Sequence, residues 1–109
     1  MNPEKQRIAI AEACGWKSIT SFGKNITGVL NQNSNSIRAH IPNYLNDLNA
    51  MHKAEKELYA RPNKSDGTVW AYVYESHLIN ITTTEIIATA AQRAEAFLKT
   101  IGKWEGEQP

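Results

Sequence analysis

At 109 residues, the chain is long enough for one hydrophobic core and too short for two, because the fraction of surface buried on folding falls with chain length. Hydrophobic residues make up 41% and charged residues 21%, which suits a folded globular chain rather than a disordered one. Lys and Arg number 12 against 11 Asp and Glu, a formal net charge of +1, so no overall field attracts a polyanion; duplex nucleic acid is not expected, and any anion site must be local.

The single cysteine, Cys14, excludes an intrachain disulfide and a zinc site of the paired-cysteine type, and suits a reducing cytosol. No apolar run approaches the roughly 20 residues of a membrane-spanning helix, and the polar Asn-Pro-Glu-Lys-Gln-Arg start does not read as a signal peptide. No membrane partner is therefore expected.

Asn2 with Pro3 and Glu4 reads as a helix start: a capping oxygen, a proline where its missing N–H costs nothing, and an acid favoured by the helix dipole. This helix carries Ile8, Ala11 and Cys14 and stops at Gly15. Trp16 to Phe22 reads as a strand. From Gly23 to Ser36 the composition turns to Gly, Asn, Ser and Gln without periodicity, which predicts a flexible loop over 23–36.

An amphipathic helix is expected to open after Ile41-Pro42, with Tyr44, Leu48, Met51, Ala54 and Leu58 as its apolar stripe, and to end near Ala60 before Arg61-Pro62. Thr68 to Glu75 alternates, with Val69, Ala71 and Val73 on one side and Trp70, Tyr72 and Tyr74 on the other, which predicts a strand with an aromatic row. The β-branched run Ile79 to Ile87 reads as another strand, although Thr82 to Glu85 could also form a capping box. Thr89 and Gln92 form a possible capping box for a last helix through Ala94, Phe97, Leu98 and Ile101, closed by Gly102. The expected architecture is a single α+β domain over 1–109, a sandwich in which three helices cover a small antiparallel sheet of about three strands, with a C-terminal tail over 103–109.

Ile41-Pro42-x-Tyr44-x-x-Asp47-Leu48 opening a helix, an aromatic strand, and Ala88-Thr89-Ala90 leading into Arg93-Ala94-x-x-x-Leu98 follow one another in an order that resembles the phage ABA sandwich family. The similarity spans Ile8 to about Trp104 and departs near Thr89, where the family often has a following proline and Ala90 and Ala91 stand here. The resemblance implies a bacteriophage or prophage origin and the cytoplasm of the bacterial host as the setting. It implies no reaction, cofactor or catalytic residue.

The candidate chemistry is sparse. His52 and Glu55, three apart on one helix, could supply half of a metal site, but no second half is apparent, so no metal is expected. Cys14 could act as a nucleophile only beside a base in an electropositive setting, and filling the core is the commoner role for such a residue. Asp47 lies beside the apolar stripe and needs a partner: backbone, Arg93 or a ligand. The most suggestive set is Trp70, Tyr72 and Tyr74 with Thr89 and Arg93, because aromatics stack bases while helix starts and arginine hold phosphates. An aromatic row on a small sheet is more often core or subunit interface. These features lead to a non-enzymatic, homo-oligomeric binding protein for a nucleotide-type host defence signal; the alternative is an accessory or structural protein that works through protein–protein contacts.

Overall fold

Asn2 fixes the first helix by accepting a hydrogen bond from the Lys5 N–H at 2.8 Å, with Pro3 at the first helical position. In this computed structural model, which describes residues 1–23, 25–32, 35–82 and 88–106, helix α1 spans Pro3–Ala13 and leaves through Gly15 at φ 97°. Strand β1 follows over Trp16–Phe22. Both elements agree with the sequence pattern.

The expected loop over 23–36 is instead mostly sheet. Strands β2, Asn25–Gln32, and β3, Asn35–His40, complete a three-stranded antiparallel sheet in the order β1-β2-β3. Lys24, Asn33 and Ser34 lie outside the described residues. Composition concealed an alternation that sets Ile26 and Gly28, both buried, on one face and Asn25, Thr27 and Val29 on the other, and backbone pairing with neighbours outweighs the weak intrinsic preferences of Asn and Gly. The register places Thr27 opposite His40 and Val29 opposite Arg38, while β1 carries one extra residue between Lys17 and Thr20. That bulge holds Ser18 at φ 51°. Gly28 sits under close packing: an added Cβ would lie 3.2 Å from Ile19 and 3.3 Å from Ile41 side-chain carbons, which would have to give way by a few tenths of an ångström.

The second helix, α2, begins later than its apolar stripe suggested, at Leu48–Tyr59. Tyr44 precedes it in a turn yet is buried all the same. Asp47 caps it, accepting from the N–H groups of Asn49 at 3.0 Å and Ala50 at 3.2 Å.

The aromatic stretch is the principal correction. Trp70–Ile81 forms a helix, α3, and not a strand, so the described residues hold four helices where three were expected. The end of the second predicted strand belongs to it too: Ile79 to Ile81 are its last residues, and Thr82 closes it in extended conformation. Residues 83–87, the remainder of that expected strand, lie outside the described residues. Helix α4, Ala90–Thr100, carries the full capping box, Gln92 N–H to Thr89 Oγ1 at 3.1 Å and Thr89 N–H to Gln92 Oε1 at 2.9 Å.

Helix α4 is central and touches α1, α2 and α3. Its Ala94, Phe97 and Leu98 are buried with Ile10 of α1, Met51 and Leu58 of α2, and Tyr74 and Leu78 of α3. The sheet joins this helical core through its inner-face Ile26 and through Ile41 beyond β3. The expected tail is partly docked as well, since Trp104 packs against the core and the Lys103 N–H bonds to the Leu98 carbonyl at 2.8 Å. The α+β class and the three-stranded antiparallel sheet are as expected, although two of the three strands come from a different part of the chain.

Candidate binding cleft

The residues singled out in the sequence do not form one site. A helix turns each successive residue by about 100°, so the aromatic row is dispersed by the geometry of α3. Tyr74 is 1% exposed and Tyr72 is 72% exposed. Trp70 is half-buried: its indole N–H donates to the Pro62 carbonyl at 2.8 Å, and Arg61 and Lys64 lie 5.3 and 5.1 Å from its ring centroid. Its ring is already occupied by cations.

Arg93 does not project from the start of α4 toward solvent. Its Nη1 lies 3.2 Å from Glu55 Oε2 on α2, and both side chains are largely buried. His52 Nδ1 meets the other carboxylate oxygen at 3.2 Å, so Glu55 serves an ion pair where half of a metal site was considered. Among the described residues no group of three or more His, Cys, Asp or Glu is arranged to hold a metal ion. Burial, and then the Glu55 carboxylate, push the Tyr74 phenol far above its ordinary range, while the neighbouring Arg93 guanidinium opposes the shift. The Thr89 side chain is taken up in its own capping box.

Asp47 is the exception, because it borders a cleft of about 420 Å³ between the end of α1, the start of β1 and the first turns of α2. Gly15 turns the chain so that Cys14 and Trp16 both reach the cleft, and Tyr44 enters from the segment before α2. The Arg7 guanidinium pins that segment to α1 by donating to the carbonyls of Ile41 and, at 3.0 Å, Pro42. Asp47, Lys53 and Glu57 add charge from α2. Lys53 and Glu57, four residues apart, are about one turn apart and so share a face.

Trp16, Tyr44 and Cys14 stand together on the inner wall of the cleft. Burial pushes the Tyr44 phenol far above its usual range. Burial, reinforced by the Glu57 carboxylate, raises the Cys14 thiol to about 11. At neutral pH this is a protonated thiol, and the thiolate is the nucleophilic form.

Alkylation of Cys14 by iodoacetamide at pH 8 should run about 100-fold slower in the folded protein than in the urea-unfolded chain, reflecting the thiolate fraction. Below pH 9.0 the thiol is protonated in both states; between 9.0 and about 11 only the unfolded chain ionises, so stability falls as pH rises through that window. Equal rates in the folded and unfolded chains would place the thiol in open solvent.

The sequence reading missed Trp16, Tyr44 and Lys53 as members of one site. The available signal was local: Cys14-Gly15-Trp16 at a helix-to-strand turn and Asn49-x-x-x-Lys53-x-x-x-Glu57 at helical spacing. Neither segment reveals the other as its neighbour. Among the described residues no helix is long and apolar enough to cross a membrane. The chain matches no family model, no curated protein and no solved structure.

Proposed function

We propose that this chain is a non-enzymatic binding protein that takes a small nucleotide-type ligand in the cleft beside α2. The observation that carries this reading is the composition of the cleft: an aromatic and thiol wall from Trp16, Tyr44 and Cys14, edged by Asp47, Asn49 and Lys53. Its volume of about 420 Å³ falls within the roughly 300–1,000 Å³ of small-molecule sites. The chemistry divides naturally. Trp16 offers a stacking surface for a base, Asp47 and Asn49 offer an acceptor and an amide to its edge, and Lys53 offers a cation to a phosphate. The high Cys14 pKa supports binding over covalent catalysis. The resemblance to the phage ABA sandwich family supports a bacteriophage setting, in which such a protein would sequester a host defence signal in the bacterial cytoplasm.

Titration calorimetry against a panel of cyclic and ADP-ribose-derived nucleotides tests this. Saturable heat is expected for at least one, and Trp16→Ala should weaken it by about 5- to 150-fold, the range of one lost base–aromatic stack. Silence across the panel would remove the nucleotide class, and undiminished binding by Trp16→Ala would remove the cleft.

A protein–protein role has its own observation. Helix α3 is apolar around most of its circumference, and its outward side carries Tyr72 and Ile79 in line with Val69 at its cap, exposed by 72, 53 and 49%. Helices of that composition ordinarily bury both sides. Self-association through α3 into a homo-oligomer is therefore the second reading. Sedimentation should give a mass above that of a single chain, and Tyr72→Glu should return it to the monomer; a strict monomer before substitution would overturn this reading.

A further inference from the structure

The near-zero net charge hides a segregation. No Asp or Glu occurs between Ala13 and Asn46, so all 11 acids of the chain fall outside the segment that contains the sheet. That sheet turns Ile26 and Gly28 inward and exposes a polar outer face. On it Lys17 pairs with Val29, and Val29 with Arg38; one step along, Thr20 pairs with Thr27, and Thr27 with His40.

Arg38 crosses all three strands. Its guanidinium reaches Thr20 Oγ1 at 3.2 Å, Thr27 Oγ1 at 3.1 Å and the Ser18 carbonyl at 2.9 Å. The bulge makes this possible, because Ser18 at φ 51° turns that carbonyl toward the outer face. None of the three acceptors is a carboxylate, so the guanidinium is held in place with its charge uncompensated by them. Phe22 stands on the same face, 87% exposed.

We infer that the outer face of the sheet is a docking surface for duplex DNA. Charge complementarity is the first argument: the outer face sets Lys17 and Arg38 among hydroxyls, and its own segment of the chain contributes no acid to it, which suits phosphodiester oxygens, while orienting the arginine beforehand lowers the cost of using it. Shape is the second. A B-form major groove, roughly 12 Å wide, admits a two-stranded antiparallel ribbon, which β1 and β2 supply with strands about 4.8 Å apart, Arg38 reaching across them from β3. The major groove of A-form RNA is too narrow for side chains to read. Phe22 suits an apolar contact such as a thymine methyl. The near-neutral overall charge supplies no long-range field for a nucleic-acid partner, so the proposal rests on the local distribution of charge, at a site independent of the α2 cleft.

Fluorescence anisotropy with a labelled mixed-sequence DNA duplex of two helical turns tests the inference on the full chain. Binding is expected at low salt, and a logarithmic plot of affinity against salt should slope about −2, as for two released counterions from Lys17 and Arg38. The double variant Lys17→Glu/Arg38→Glu should lose binding by at least about tenfold, the direction set by the loss of two phosphate contacts. Lys56→Glu, on the exposed side of α2, should bind as the parent does, and circular dichroism of all variants should match. Absence of binding at low salt, a slope near zero, or undiminished binding by the double variant would overturn the inference. So would equal affinity for an RNA duplex of the same length, because groove shape would then play no part.

Discussion

Arg93→Met is expected to destabilise the fold by about 3 kcal/mol in urea denaturation at neutral pH, the lower end of what breaking a buried ion pair costs. The Glu55 side chain is 8% exposed and would keep its charge with His52 as its remaining ion-pair partner among the described residues. That remaining contact is why the lower end applies. The double variant Arg93→Met/Glu55→Leu should recover to within about 1 kcal/mol of the parent, since removing both charges also removes the cost of burying them. A single-variant cost below about 1 kcal/mol would mean that Glu55 reaches water, against the burial observed. The result also bears on function: an arginine committed to Glu55 positions α4 against α2 and is not available as a phosphate clamp at the start of α4.

The second large effect separates the three aromatics of α3. Tyr74→Ala should cost about 3–5 kcal/mol, as for other aromatic truncations in a core, because Tyr74 is 1% exposed and packs edge-on against Tyr59 with ring centroids 6.0 Å apart. Tyr72→Ala should change stability by no more than about 0.5 kcal/mol in the monomer, as surface substitutions usually do. Tyr74→Phe should change stability by no more than about 1 kcal/mol, since the ring stays packed and the hydroxyl, beside the Arg93 guanidinium, makes no well-formed hydrogen bond among the described residues. A strand with a shared aromatic face would instead give similar costs for the two tyrosines. Equal losses for Tyr72→Ala and Tyr74→Ala would therefore contradict the helix.

The misreading of this segment has an instructive cause. From Val69 to Tyr74 every residue is apolar or aromatic, so period-two alternation between two apolar sides carries no information about which side is buried. The longer pattern was present: Trp70, Tyr74, Leu78 and Ile81 follow at spacings of four, four and three, and each packs into or against the core. A short window favoured the strand and a longer one favoured the helix. The sheet failed in the opposite direction. Asn, Ser and Gly suggested a loop over 23–36, while Asn25 to Leu30 alternate in a way that only pairing with β1 and β3 makes decisive.

Local chemistry was the most legible part. The Asn2 cap, the proline at the first helical position, the stop at Gly15 and the Thr89–Gln92 capping box all depend on residues within a few positions of one another, and all form as read. The α+β class also follows from the mixture of patterns, whereas the agreement in strand number does not, since β2 and β3 lie where a loop was expected. Asp47 could be recognised as needing a partner, and the backbone N–H groups of Asn49 and Ala50 supply it.

What the sequence could not determine is which distant segments meet. Glu55 and Arg93 are 38 residues apart, and nothing local marks them as partners; packing of α2 on α4 makes them so. The cleft likewise exists only because Arg7 ties the segment before α2 to α1, bringing Tyr44 to Cys14 and Trp16. The sequence by itself determined the caps, the amphipathic stripes and the absence of acids from Ala13 to Asn46, because these are properties of neighbours along the chain. Tertiary structure alone decided that the aromatics separate, that Arg93 is bound to Glu55, and that the acid-free segment becomes one cationic sheet face, because burial and cross-strand register are set by contacts between segments far apart in sequence.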